Sequence, residues 1–179
     1  MPFRPALLSA LFCAALASSC AISQPTTAEN PGHVAAPVSI VYRDVQYGFC
    51  FILPESWKGY KIVSEQWSGT ILSSGQTVHG PQLLIRNPKW TAANPYQDIP
   101  IMVFSHAQWQ QVQAVTMAVS AAPIGPQELG SNGKYVFALP PRWIGFTDSL
   151  GQDELNTWMQ QNRLQAPCGS KPAAIVSIP

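Results

Sequence analysis

Four cysteines, at positions 13, 20, 50 and 168, are the side chains with the widest choice of chemistry in this chain. A thiolate can attack a carbonyl, hold a metal, carry lipid or oxidise to a disulfide, and its surroundings decide which. Cys50 sits in YGFCFILPESWKGY, residues 47–60, between two phenylalanines. A nucleophilic cysteine needs a nearby cation or a helix N-terminus to lower its pKa, and the middle of an apolar strand offers neither. A disulfide to Cys168, 118 positions on, is the reading the residues favour. In the chain-entropy model, closing so long a loop stabilises by up to about 5 kcal/mol, commonly less. Two free buried thiols, or a reactive thiol, are the alternatives.

Cys20 belongs to a different argument. Arg4 supplies a positive charge ahead of ALLSALFCAALA, residues 6–17, an apolar run of 12 that fits an export signal and is too short to span a bilayer. Cleavage after the A-x-A at residues 15–17 would release a soluble chain and leave an odd set of three cysteines. Lipid attachment at Cys20, after the small-residue run ALASS, would leave an even pair. The second reading is favoured, and it makes residues 1–19 a signal peptide. Residues 20–37, rich in Pro, Ala, Thr and Asn, read as a flexible tether with a reach of roughly 25 Å. No later stretch reaches 18 uninterrupted apolar residues, so no transmembrane helix is expected.

The remaining candidates for chemistry are sparse. There is no G-x-S-x-G, H-E-x-x-H, C-x-x-C or G-x-G-x-x-G. Gly133-Lys134 resembles the end of a phosphate loop, but Glu128 replaces its first glycine and Tyr135 its Ser/Thr. His33 falls in the tether, His79 in a turn and His106 at a helix start, with no spacing that gathers metal ligands. A Ser-His-Asp set assembled from distant positions, for instance Ser105, His79 and Asp98, is an alternative that no spacing recommends. No catalytic residue, cofactor or metal is therefore expected. Of ten Lys/Arg, one is Arg4 in the signal, so nine face nine Asp/Glu without a like-charge run, which gives no reason to expect nucleic acid.

Residues 38–179 read as one domain. Strands are expected around 38–54, in GYKIVSEQWSGTIL, in PQLLIRNP, in IPIMVF at 99–104 and in KYVFALPP, because apolar runs end there at Pro, Gly and Asn. SSGQTVHG and AAPIGPQELGSNG read as loops. Ser105 is a good N-cap for an amphipathic helix over about 106–117, and a second helix starts near Ser149 with Leu155, Trp158, Met159 and Asn162 on one stripe. The tail at 173–178 reads as an edge strand. This order predicts an α+β fold, a mostly antiparallel sheet flanked by two helices. Of six tryptophans, Trp109 and Trp158 lie on helix stripes and are expected in the core. Trp90 and Trp143, in loops beside prolines, are the candidates for contact with a partner.

Gly48, Phe49, Phe51, Pro54 and Trp57 form a G-F-x-F-x-x-P-x-x-W pattern that resembles the opening of PsbP-like domains, a family of extrinsic photosystem subunits and exported bacterial lipoproteins. That resemblance implies an antiparallel sheet flanked by helices and an accessory role without catalysis. GPQLLIRNPKW, QDIPIMVF, AAPIGPQELG and KYVFALPPRW are similar to a group of uncharacterised bacterial exported proteins, which implies export and assigns no site. The function expected is a non-enzymatic accessory or binding module of the cell envelope. It would be held to the membrane by lipid at Cys20 and able to meet an envelope protein. An envelope hydrolase with a dispersed site, an inhibitor or immunity-type protein, and a soluble periplasmic or secreted form are the alternatives.

Overall fold

Two antiparallel sheets face each other in the computed structural model, which describes residues 39–121, 124–143 and 150–170. The smaller sheet joins β1 (Ser39–Asp44), β2 (Phe49–Pro54) and β9 (Leu164–Gln165) in the order β1-β2-β9. The larger one has six strands in the order β6-β3-β4-β5-β8-β7 and curls into a half-barrel. Its strands are β3 (Lys61–Ile71), β4 (Thr77–Arg86), β5 (Ile99–Ser105), β6 (Met117–Ala118), β7 (Gln127–Ser131) and β8 (Tyr135–Leu139). A 3-10 turn, Glu55–Trp57, follows β2, and the helices are α1 (His106–Gln113) and α2 (Gln152–Met159).

The expected helix-flanked α+β sheet is overturned. Among the described residues 45% are in strands and 15% in helices. Each α-helix has 8 residues, about 12 Å of length, too little to cover a six-stranded sheet. α1 stops at Gln113, short of the predicted 117. The Thr116 N–H donates to Gln111 O and the Val115 N–H to Val112 O. That closure puts Val115 at φ +53, in the left-handed region where glycine usually ends a helix. β7 lies inside the stretch expected to be a loop. A bulge between Glu128 and Gly130 breaks its alternation and hides the strand. His79 lies on β4 rather than in a turn. The signal, the tether, Cys20, the start of the second helix at Ser149 and the expected tail strand at 173–178 lie outside the described residues.

β5 is the spine. Six of its seven residues are buried, because it has a strand on either side and a core on each face. Ile99, Ile101 and Val103 point to the first core, with Phe49, Phe51, Leu53, Trp57, Phe137 and Leu155. Met102 and Phe104 point to the second, with Trp67, Trp109, Val112, Met117 and Val136. Full burial on two faces explains a run as uniformly apolar as IPIMVF. Pro100 is tolerated there because β8 pairs only with Met102 to Ser105 and gives way to Pro140 just where Pro100 would face it. Trp67 lies flat across Gly80, where a Cβ would come within 2.2 Å of the indole ring. Its Nε1 donates to Val103 O at 2.9 Å.

Candidate functional site

Cys50, on β2, is bonded to Cys168, with their Cα atoms 5.0 Å apart. The bond ties the segment after β9 to the centre of the small sheet, beside the short β9 ladder of Cys50 with Gln165 and Phe51 with Leu164. Cys50 is 1% exposed, and its sulfur is committed to the disulfide. Two more hydrogen bonds hold this corner. The Ile52 N–H donates to Arg163 O at 2.9 Å, and Trp158 Nε1 donates to Ile52 O at 2.9 Å. Asn162, buried, donates through Nδ2 to Leu129 O on β7 and accepts the Leu164 N–H through Oδ1.

Beside this corner α2, Pro54 and the chain leading into β9 border an open groove of about 620 Å³. Arg163 and Trp158 both line it. The guanidinium carbon lies 3.9 Å from the centre of the indole ring, and Nε donates to Trp158 O at 3.0 Å. Partial burial lowers the arginine's pKa from its usual value, because a charge leaving water is disfavoured. Asp153 and Glu154, in the first turn of α2, line the same groove, at a helix end where the dipole favours carboxylates. Glu154 Oε1 accepts the hydroxyl of Ser56, on the 3-10 turn. The groove is thus lined by one guanidinium and two carboxylates. It can hold a polar ligand carrying both an acceptor and a donor. Trp158 was expected in the core, yet it is half-buried, because α2 lies at the domain surface and only Leu155 and Met159 turn fully inward.

The other predicted positions lie elsewhere. Trp90 is half-buried under Arg86, whose guanidinium carbon is 4.1 Å from its ring. Arg86 Nε also bonds Asp98 Oδ2 at 3.0 Å, and Asp98 Oδ1 accepts the Asn87 N–H at 2.9 Å. Trp143 is half-buried and packs against the first core. The structure does not bring Ser105, His79 and Asp98 together. The β4–β5 ladder runs from Ile85 with Ile99 to Gln82 with Met102, so Asp98 lies beyond one end of it and His79 and Ser105 beyond the other. Seven strand residues, about 23 Å, separate Asp98 from Ser105. The Ser105 hydroxyl accepts the Gln108 N–H as a helix cap, and Asp98 is held by Arg86. His106 Nε2 lies 2.8 Å from Asn132 O, the tie between α1 and the β7–β8 turn. Among the described residues no three His, Cys, Asp or Glu side chains gather as metal ligands, and no helix is long and apolar enough to cross a membrane.

Sequence reasoning missed Arg163 and the groove. The signal available was Trp158 five positions before an arginine with no acid beside it in sequence. No protein-family model, no curated protein and no solved structure matches this chain.

Proposed function

We propose that this chain is an exported protein of the cell envelope, anchored by lipid on Cys20, that works as a binding or accessory module through the groove of Arg163 and Trp158. The observation that carries the reading is the Cys50–Cys168 disulfide. Bonds of this kind form and persist in oxidising compartments. It also uses up both cysteines of the folded region, so Cys20 is the one thiol left beyond an export signal. A lipid-bearing Cys20 has no need of a thiol partner. The groove supports the binding role because a guanidinium held by an indole contact and a backbone bond lines it.

The test has two arms. Membrane fractionation should find the wild-type chain with the membranes and Cys20→Ser in the soluble fraction. Retention of Cys20→Ser in the membranes removes the anchor. Capture from envelope extract should give a partner with wild type that Arg163→Ala loses. Equal capture by both chains removes the groove from the function.

A further inference from the structure

The outer edge of β3 is open. This strand has 11 residues and pairs along its length with β4, but on its other side β6 pairs only with Thr70 and Ile71. From Lys61 to Ser68, no strand among the described residues covers that edge. Its pairing with β4 is regular, without a bulge, and it contains no proline. An open edge with neither bulge nor proline is a template for another strand, and only charge is left to select which strand. Its charged side chains are Lys61 and Glu65.

Those two residues indicate the occupant. Side chains 61, 63 and 65 share one face of the strand. Lys61 stands opposite Arg86 on β4, like charge against like, and Arg86 already has Asp98 as its counter-ion. Glu65 stands opposite Gln82, whose Nε2 reaches Glu65 Oε2 at 3.3 Å. When a second copy of β3 is laid antiparallel to the first and centred on Val63, Lys61 of each copy faces Glu65 of the other. The half-exposed Val63 residues then meet on the twofold axis. Other registers fit worse. Centred on Ser64, Glu65 faces Val63 and Lys61 faces Trp67. Centred on Glu65, two carboxylates oppose each other, and each strand runs toward the edge that β6 occupies.

We infer that the chain pairs with a second copy of itself through β3, in antiparallel register about Val63, joining two six-stranded sheets into one. The contact spans about five residues on each side, well below a standard interface, so a dissociation constant on the order of 10⁻⁴ M is expected. The inference does not depend on the lipid anchor or on the groove.

Charge reversal tests the register. The exported full chain carrying Cys20→Ser is followed by sedimentation equilibrium up to about 1 mM, roughly ten times the expected constant. Wild-type β3 should give a concentration-dependent dimer. Glu65→Lys and Lys61→Glu should each weaken it by about tenfold or more, since like charges then face each other twice. The double variant, with the charges exchanged, should return to within about threefold of the starting affinity. Thermal melts report whether each variant is folded, and either single change serves if the other fails. A monomer throughout the range overturns the inference. So does a dimer that ignores the single reversals, or one that the exchanged pair does not restore.

Discussion

Two arginines sit over two tryptophans at nearly the same distance, 4.1 Å for Arg86 on Trp90 and 3.9 Å for Arg163 on Trp158. Their surroundings make them different devices. Arg86 is closed. Asp98 neutralises it, and the same carboxylate caps the Asn87 N–H, so the stack fixes the loop between β4 and β5. Arg163 is open. Its Nε meets a backbone carbonyl, no carboxylate pairs with it among the described residues, and its side chain borders a groove. A stack completed by its own counter-ion is a fastener. A stack without one holds a donor fork ready for something else.

The strongest way to break this comparison is to cut the bond behind the open stack. Arg163 and Trp158 are held to β2 by two hydrogen bonds to Ile52, by the short β9 ladder and by the Cys50–Cys168 disulfide. Replacing both cysteines with alanine should destabilise the folded chain by about 2–5 kcal/mol in urea unfolding. Under native conditions, hydrogen exchange should speed up through residues 152–170 while residues 86–98 keep their protection. Equal loosening of both segments would mean that the two stacks are not independently held.

The sequence already carried much of the framework behind the open stack and little of either stack itself. Gly48, Phe49, Phe51, Pro54 and Trp57 each have a structural reason to be where they are. Gly48 adopts φ +76 under the Asn132 side chain, the two phenylalanines and Trp57 fill the first core, and Pro54 ends β2. Long periodic strands such as β5 were legible for the same reason: burial on both faces leaves an unbroken apolar run. The cysteine pairing followed from counting and from the apolar setting of Cys50. What was not legible has no local signature. β6 and β9 have two residues each and exist only because a neighbour pairs with them. β7 is disguised by its bulge. Helical spacing around Trp109 and Trp158 was visible, but the first helix was taken about four residues too far, since termini are set by backbone closures and by packing. That turned a mostly β fold into an expected helix-flanked one. The groove depends on α2 meeting the 3-10 turn across about a hundred residues of chain, joined by Ser56 and Glu154.

Removing the counter-ion should have the next largest effect. Asp98→Ala leaves Arg86 without its carboxylate and the Asn87 N–H without its acceptor, in a place where Asp98 is 13% exposed and Arg86 25%. The loss expected is about 2 kcal/mol, below that of a fully buried pair because both groups still touch water. Thermal melting should drop by about 4–8 °C for a domain of this size. A change within error would mean that solvent already screens the pair, and the closed stack would then be no more of a fastener than the open one.

The smallest effect on stability should come from Arg163, and that is the sharpest form of the contrast. A half-buried guanidinium on an indole contributes about 1 kcal/mol, so Arg163→Ala should move the melt little. Arg163→Lys separates charge from shape. Lysine keeps the positive charge but loses the planar fork and the flat stack. If the groove holds its ligand by bidentate donation, envelope capture should fail with lysine as it does with alanine, while both variants melt within about 1 kcal/mol of wild type. Arg86→Lys is the control from the closed side, where the same change should lower the melt because the Asp98 pairing depends on Nε, an atom lysine lacks. If lysine supports capture at 163 as well as arginine does, the open stack supplies only a charge, and its geometry has no bearing on what the groove selects.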